Sequence, residues 1–103
     1  MTYLIDLDGT LVYHGTNTPL PGAKEWLAAR AAEGAEFVLV TRRGMEFRGH
    51  PIYSSCDLAI KELGIMFKAV IADCDSPRCL VNDEGCFAMA HPTNGEWNIN
   101  DRP

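Results

Sequence analysis

Apolar residues in this chain come in short blocks separated by glycine, proline and charged positions. The first block, Met1 to Ile5, contains β-formers and meets polar and glycine residues at Asp6, which predicts a buried strand. Pro19, Pro21 and Gly22 punctuate the loop that follows. From Ala23 to Glu33 good helix formers take over, with Trp26, Leu27 and Arg30 at helical spacing and Gly34 as a stop. Phe37 to Val40 predicts a second buried strand, with Thr41 where it ends. After the polar stretch from Arg42 to His50, Pro51 opens a segment in which Ser54 to Leu63 reads as a helix. Leu58, Ile60 and Leu63 give its apolar positions and Gly64 closes it. Lys68 to Ala72 predicts a third strand, Cys79 to Val81 a fourth ending at Asn82 and Asp83, and Phe87 to Ala90 a fifth.

Strand and helix alternate over the first seventy residues or so, a pattern that builds a mostly parallel α/β sheet with right-handed crossovers. The later strands follow each other too closely for full helical crossovers, so that half is abbreviated. From His91 to Pro103 the chain reads as turn-rich and weakly determined. At 103 residues, positions 1–103 fit one compact domain and leave no room for a second of ordinary size.

The 47% hydrophobic and 22% charged composition is that of a packed globular domain. A formal charge of -5 disfavours nucleic acid or an anionic membrane surface as partner, since both need a cationic footprint. The longest apolar runs, such as Phe37 to Val40 and Ala69 to Ala72, fall short of a membrane span, and the N-terminus lacks the pattern of a signal peptide. The expected location is therefore cytoplasmic. Cys56, Cys74, Cys79 and Cys86 lack the C-x2-C spacing of a zinc site and read as reduced thiols.

Asp6, Thr41 and Asp83 each follow an apolar strand, and the carboxyl ends of the strands form the ligand-binding edge of an open parallel sheet. Convergence at one edge separates these residues from ordinary turn residues. Asp6 and Asp8 stand close enough to call for a shared proton or a cation, and an oxygen-only pair suits magnesium better than zinc. A calcium loop would need further acidic ligands, which Thr10-Leu11-Val12 does not supply.

The run Tyr3-Leu4-Ile5-Asp6-Leu7-Asp8-Gly9-Thr10-Leu11 contains DxDGT and resembles the signature of the haloacid dehalogenase superfamily. The resemblance implies a Rossmann-like three-layer sandwich around a central, mostly parallel sheet. Asp6 is then the nucleophile that forms an aspartyl-phosphate, and Asp8 protonates the leaving alcohol before activating water. Gly9 lets the backbone turn tightly beneath the phosphate. Val38-Leu39-Val40-Thr41 is similar to the second motif, whose hydroxyl holds the transferring phosphoryl group. Thr41-Arg42-Arg43-Gly44-Met45 looks like the Thr-Ala-Arg-Gly-Met of small capless members linked to capsular polysaccharide biosynthesis, with Arg42 in place of alanine. Leu80-Val81-Asn82-Asp83 resembles the fourth motif, which implies Asp83 as a magnesium ligand beside Asp6 and Asp8.

The third motif of the family carries a lysine, and Cys74 stands where it belongs. Lys68 opens its strand at the far edge of the sheet, about four residues at roughly 3.3 Å each from the catalytic edge. Arg78 lies five residues before Asp83, which is on the order of 16 Å in an extended strand, unless Asp75, Ser76 and Pro77 fold it upward. Position therefore favours Arg42 and Arg43 as the groups that meet phosphate, with Thr41 and Arg78 completing the expected set.

Residues 11–19 and 42–52 are too short to hold an inserted cap domain. The expected protein is a magnesium-dependent phosphatase with an open site for a small phosphorylated substrate. The resemblance implies that such a site either takes a bulky substrate or borrows a neighbouring subunit of a homo-oligomer as a lid, and the capsule-type similarity points to sugar phosphates. A domain that kept the fold and lost turnover is the competing class, supported by the missing lysine. His14, His50 and His91 share no metal spacing and read as surface or loop residues. Trp26 and Trp97 read as packing residues.

Overall fold

The computed structural model describes residues 1–44 and 55–103. Three parallel strands form the sheet: β1 (Thr2–Asp6), β2 (Glu36–Val40) and β3 (Ala69–Ile71), with β2 in the middle. Helix α1 (Ala23–Ala32) connects β1 to β2, and α2 (Asp57–Leu63) precedes β3. This is the mixed α/β arrangement that the alternation predicts, with strand and helix ends displaced by one residue at most except at the start of α2, which opens three residues later than predicted. The predicted opening of the second helix at Ser54 and the polar stretch through His50 fall partly outside the described residues.

Alternation along the strands selects the core. Tyr3 pairs with Phe37 and Ile5 with Leu39, so these four side chains share one face. Trp26 of α1 packs on that face, 5.0 Å from Tyr3 and 6.3 Å from Phe37 between ring centroids. The helical spacing of Trp26, Leu27 and Arg30 holds, since all three are buried. Arg30 stays inside by laying its guanidinium 5.7 Å above the Trp26 ring and donating to the Asp101 carbonyl at 3.2 Å. Leu4 points to the opposite face and is 53% exposed.

The fourth and fifth predicted strands are absent. Cys79 to Val81 and Phe87 to Ala90 have no regular structure, and every residue from 75 to 90 is exposed. Parallel neighbours need a crossover of a dozen or more residues, and residues 72–78 are too few to return the chain to the start of the sheet. The outer edge of β1 is left without a neighbouring strand among the described residues.

The tail is better fixed than its composition predicts. Trp97 is buried against Trp26 at 4.5 Å. Its amide donates to the Pro21 carbonyl at 2.9 Å and its indole to the Thr10 carbonyl at 2.6 Å. The Trp26 indole donates to the Asp101 carbonyl at 2.7 Å. Gly22 makes this docking possible. With φ 81° it opens α1 in a left-handed conformation, and a Cβ there would lie 2.1 Å from the Trp97 carbonyl oxygen. The tail signal is therefore two tryptophans and one glycine, none of them periodic.

Candidate active site

The carboxyl ends of the three strands meet through backbone bonds. Thr41 follows β2 directly, its amide donating to the Ile71 carbonyl at 2.9 Å and its carbonyl accepting from the Cys74 amide at 2.9 Å. The Asp73 amide donates to the Arg43 carbonyl at 3.0 Å. Asp6 closes β1 opposite Val40, so it faces the same edge as the loop after β3. Gly9, at φ 76°, carries the turn beyond Asp8, and the Asn94 amide reaches its carbonyl at 2.8 Å.

The two carboxylates have different surroundings. The Asp6 side chain is 39% exposed, accepting a 3.0 Å bond from the Thr10 hydroxyl on one oxygen and a 2.6 Å bond from Arg78 on the other. The Asp8 side chain is 20% exposed. Arg43, itself buried, grips it with Nε at 3.0 Å and Nη2 at 2.5 Å, and the Gly15 amide adds a third bond at 3.0 Å. Arg43 also reaches the Asn17 side chain at 2.8 Å and the Thr16 carbonyl, so it fastens the loop after DxDGT to the end of β2.

Burial works against the Asp8 anion, but the Arg43 hydrogen bonds outweigh it, helped by the Gly15 amide and by the charges of Arg43 and His14. Its pKa lies below the ordinary carboxylate value. Asp8 is thus an ionised carboxylate at neutral pH, bound on both oxygens. Arg78 is also partly desolvated, yet its bonds to Asp6 and the Cys74 carbonyl raise its pKa further.

These contacts place the four candidate cations. Arg43, expected on phosphate, lies on Asp8. Arg42 turns outward, 3.4 Å from Asp75, with half its side chain exposed. Arg78 lies on Asp6 at 2.6 Å, although its distance along an extended strand argued against it. The reckoning fails because residues 72–78 form a looped return in which Arg78 Nη2 also binds the Cys74 carbonyl at 2.6 Å. Lys68 stays at the opposite edge, paired with Glu36 at 2.7 Å. The Thr41 hydroxyl is buried and accepts from the Arg43 amide at 3.1 Å.

Asp83 follows no strand. It is exposed, and one carboxylate oxygen accepts from the Glu84 amide at 2.6 Å. Among the described residues no three His, Cys, Asp or Glu side chains gather into a group able to hold a metal ion. Asp6 and Asp8 supply hard oxygen donors, the right kind for magnesium, but guanidinium groups neutralise them in this arrangement. The residues as placed do not form a fitted metal cage. No disulfide joins the four cysteines, and no helix among the described residues is long and apolar enough to cross a membrane.

A cavity of about 1070 Å³ runs along β1 from Met1 to Asp6, with Phe87, His91 and Trp97 among its other walls. Its volume is at the upper end for small-molecule sites. His91 lies in a loop, as expected, but its ring stacks on Trp97 at 4.4 Å and both ring nitrogens are sealed from solvent. No family model matches this chain, and no curated protein or solved structure matches it either.

Proposed function

We propose that this chain is a phosphatase of the haloacid dehalogenase type, with the Rossmann-like three-layer core of that superfamily, acting on a phosphate monoester with magnesium. The observation that carries the reading is the pairing at Asp6. An accessible carboxylate at the carboxyl end of a parallel strand, held by a hydroxyl and an arginine, is a nucleophile beside a ready phosphate-binding cation.

In this reading an Asp6 oxygen attacks phosphorus, the ester P–O bond breaks, and the leaving oxygen takes a proton to depart as an alcohol. Arg78 shifts from Asp6 toward the transferred phosphoryl oxygens and offsets their charge as it develops. Water then cleaves the acyl phosphate and regenerates the carboxylate. Asp8 is ionised and so is in the form that accepts a proton from water in the second step, but the Arg43 contact that lowers its pKa also makes it a weaker base until that contact is released. To protonate the leaving group first, Asp8 must leave Arg43 and take up a proton. Magnesium is the expected partner of Asp6, Asp8 and Asp83. An ion held there would offset the charge of the substrate phosphate, but as placed the three carboxylates are not gathered into one group.

The test is a panel of phosphate esters, assayed with magnesium and with the metal removed by chelation. Metal-dependent release of phosphate is expected. Arg78→Ala should lower turnover by roughly tenfold or more, and Arg42→Ala by less than about threefold. Phosphate binding without release by the parent protein would instead favour a domain that binds and does not turn over, the reading to which the absent third-motif lysine belongs.

A further inference from the structure

Both nitrogens of His91 are shut off from solvent and have no hydrogen-bond partner among the described residues. A neutral imidazole offers one donor and one acceptor, and leaving both unmade in a desolvated place is unfavourable. Packing does not account for a histidine here. A phenylalanine would stack on Trp97 as well, at 4.4 Å and 22° between planes, without a desolvated polar atom. Unpaired polar groups of this kind call for an explanation beyond the fold.

The ring is also tied to the nucleophile. Trp97, on which it stacks, donates to the Thr10 carbonyl at 2.6 Å, and the Thr10 hydroxyl donates to Asp6 at 3.0 Å. Asp6, Thr10, His91 and Trp97 line one cavity. The residues just before His91 are exposed and lack regular structure, so a ligand entering between them and β1 displaces little packing.

We propose that His91 recognises the leaving group of the ester cleaved at Asp6, and that this group carries a hydroxyl near the phosphorylated carbon, as in a sugar or polyol phosphate. A hydroxyl both donates and accepts, and so matches the two functions of the ring. The volume of the cavity leaves room for a hexose, and because the ring nitrogens are covered in the free chain, the hydroxyl meets them only when the exposed residues before His91 give way. This inference rests on the phosphatase reading.

The experiment compares kcat/KM for a hexose 6-phosphate with that for 4-nitrophenyl phosphate, whose leaving group has no such hydroxyl, in parent protein, His91→Phe and His91→Gln. The ratio of the two values should fall roughly tenfold or more in His91→Phe, because a site built for a hydroxyl loses its discrimination when the partner is removed. His91→Gln, which keeps a donor and an acceptor, should hold the ratio within about threefold of the parent. The melting temperature of His91→Phe should not fall, since an apolar ring removes the unpaired nitrogens. Turnover by the parent with an unchanged ratio in His91→Phe overturns the assignment and leaves the phosphatase reading intact. If His91→Phe does not fold, the stacking argument is wrong and the assignment falls with it. A parent that cleaves neither ester overturns the reading itself.

Discussion

Tyr3 to Ile5 and Phe37 to Leu39 are apolar blocks that pair across a parallel ladder and bury one face under Trp26. Leu80, Val81 and Phe87 form blocks of the same composition, yet these residues remain 60%, 88% and 63% exposed. The difference lies in what connects them to the sheet. Between β1 and β2 a ten-residue helix carries the chain back to the start of the sheet, whereas residues 72–78 hold only a loop. Strand propensity therefore becomes strand structure only where a crossover delivers the block to a partner. The same loop brings Arg78 to Asp6, so the segment that fails as a sheet element still serves the site.

Core truncation should break this contrast most severely. Trp26→Ala is expected to cost about 3–5 kcal/mol, while Phe87→Ala stays within about 0.5 kcal/mol, both from urea unfolding. A large loss in Phe87→Ala would mean that residues 79–90 pack in solution. Next in size is Arg43→Ala, which leaves the largely buried Asp8 carboxylate without its cation and should destabilise by about 3 kcal/mol. Leu80→Ala, in the exposed segment, should do almost nothing in the same assay.

A smaller effect follows from the depressed pKa of Asp8. The unfolded chain binds a proton on this carboxyl at a higher pH than the folded one, so stability rises with pH in that window. The contribution is complete above the ordinary value of 3.8 and is lost as pH falls below it, through the lower folded value. Unfolding free energy measured between about pH 4 and about pH 2 should fall less steeply in Asp8→Asn than in the parent. Equal slopes would detach Asp8 from Arg43.

Much of the placement of the candidate site was legible because its first part is local. Asp6, Asp8 and Gly9 sit at the end of one strand, and an apolar block followed by DxDGT places them without tertiary knowledge. Thr41 was legible for the same reason. Both arginines were candidates but their partners were not legible: for Arg78 a count along an extended strand cannot decide whether the loop from Asp73 to Arg78 turns back, as it does. Arg43 presented the opposite difficulty: adjacency to Thr41 suggests a phosphate contact, but the short loop after Asp8 comes within reach of its side chain first. The tail escaped because Trp97 and Gly22 are single residues far apart in sequence, and only their contact reveals that each depends on the other.

The central claim is that Asp6 attacks phosphorus, and phosphate release from 4-nitrophenyl phosphate by Asp6→Asn tests it most directly. The parent should release phosphate with magnesium present and stop when the metal is chelated. Asp6→Asn, whose amide is a poor nucleophile, should fall to the rate of the buffer alone while keeping the unfolding midpoint within a few degrees of the parent. Turnover retained in the folded Asp6→Asn protein would contradict the account.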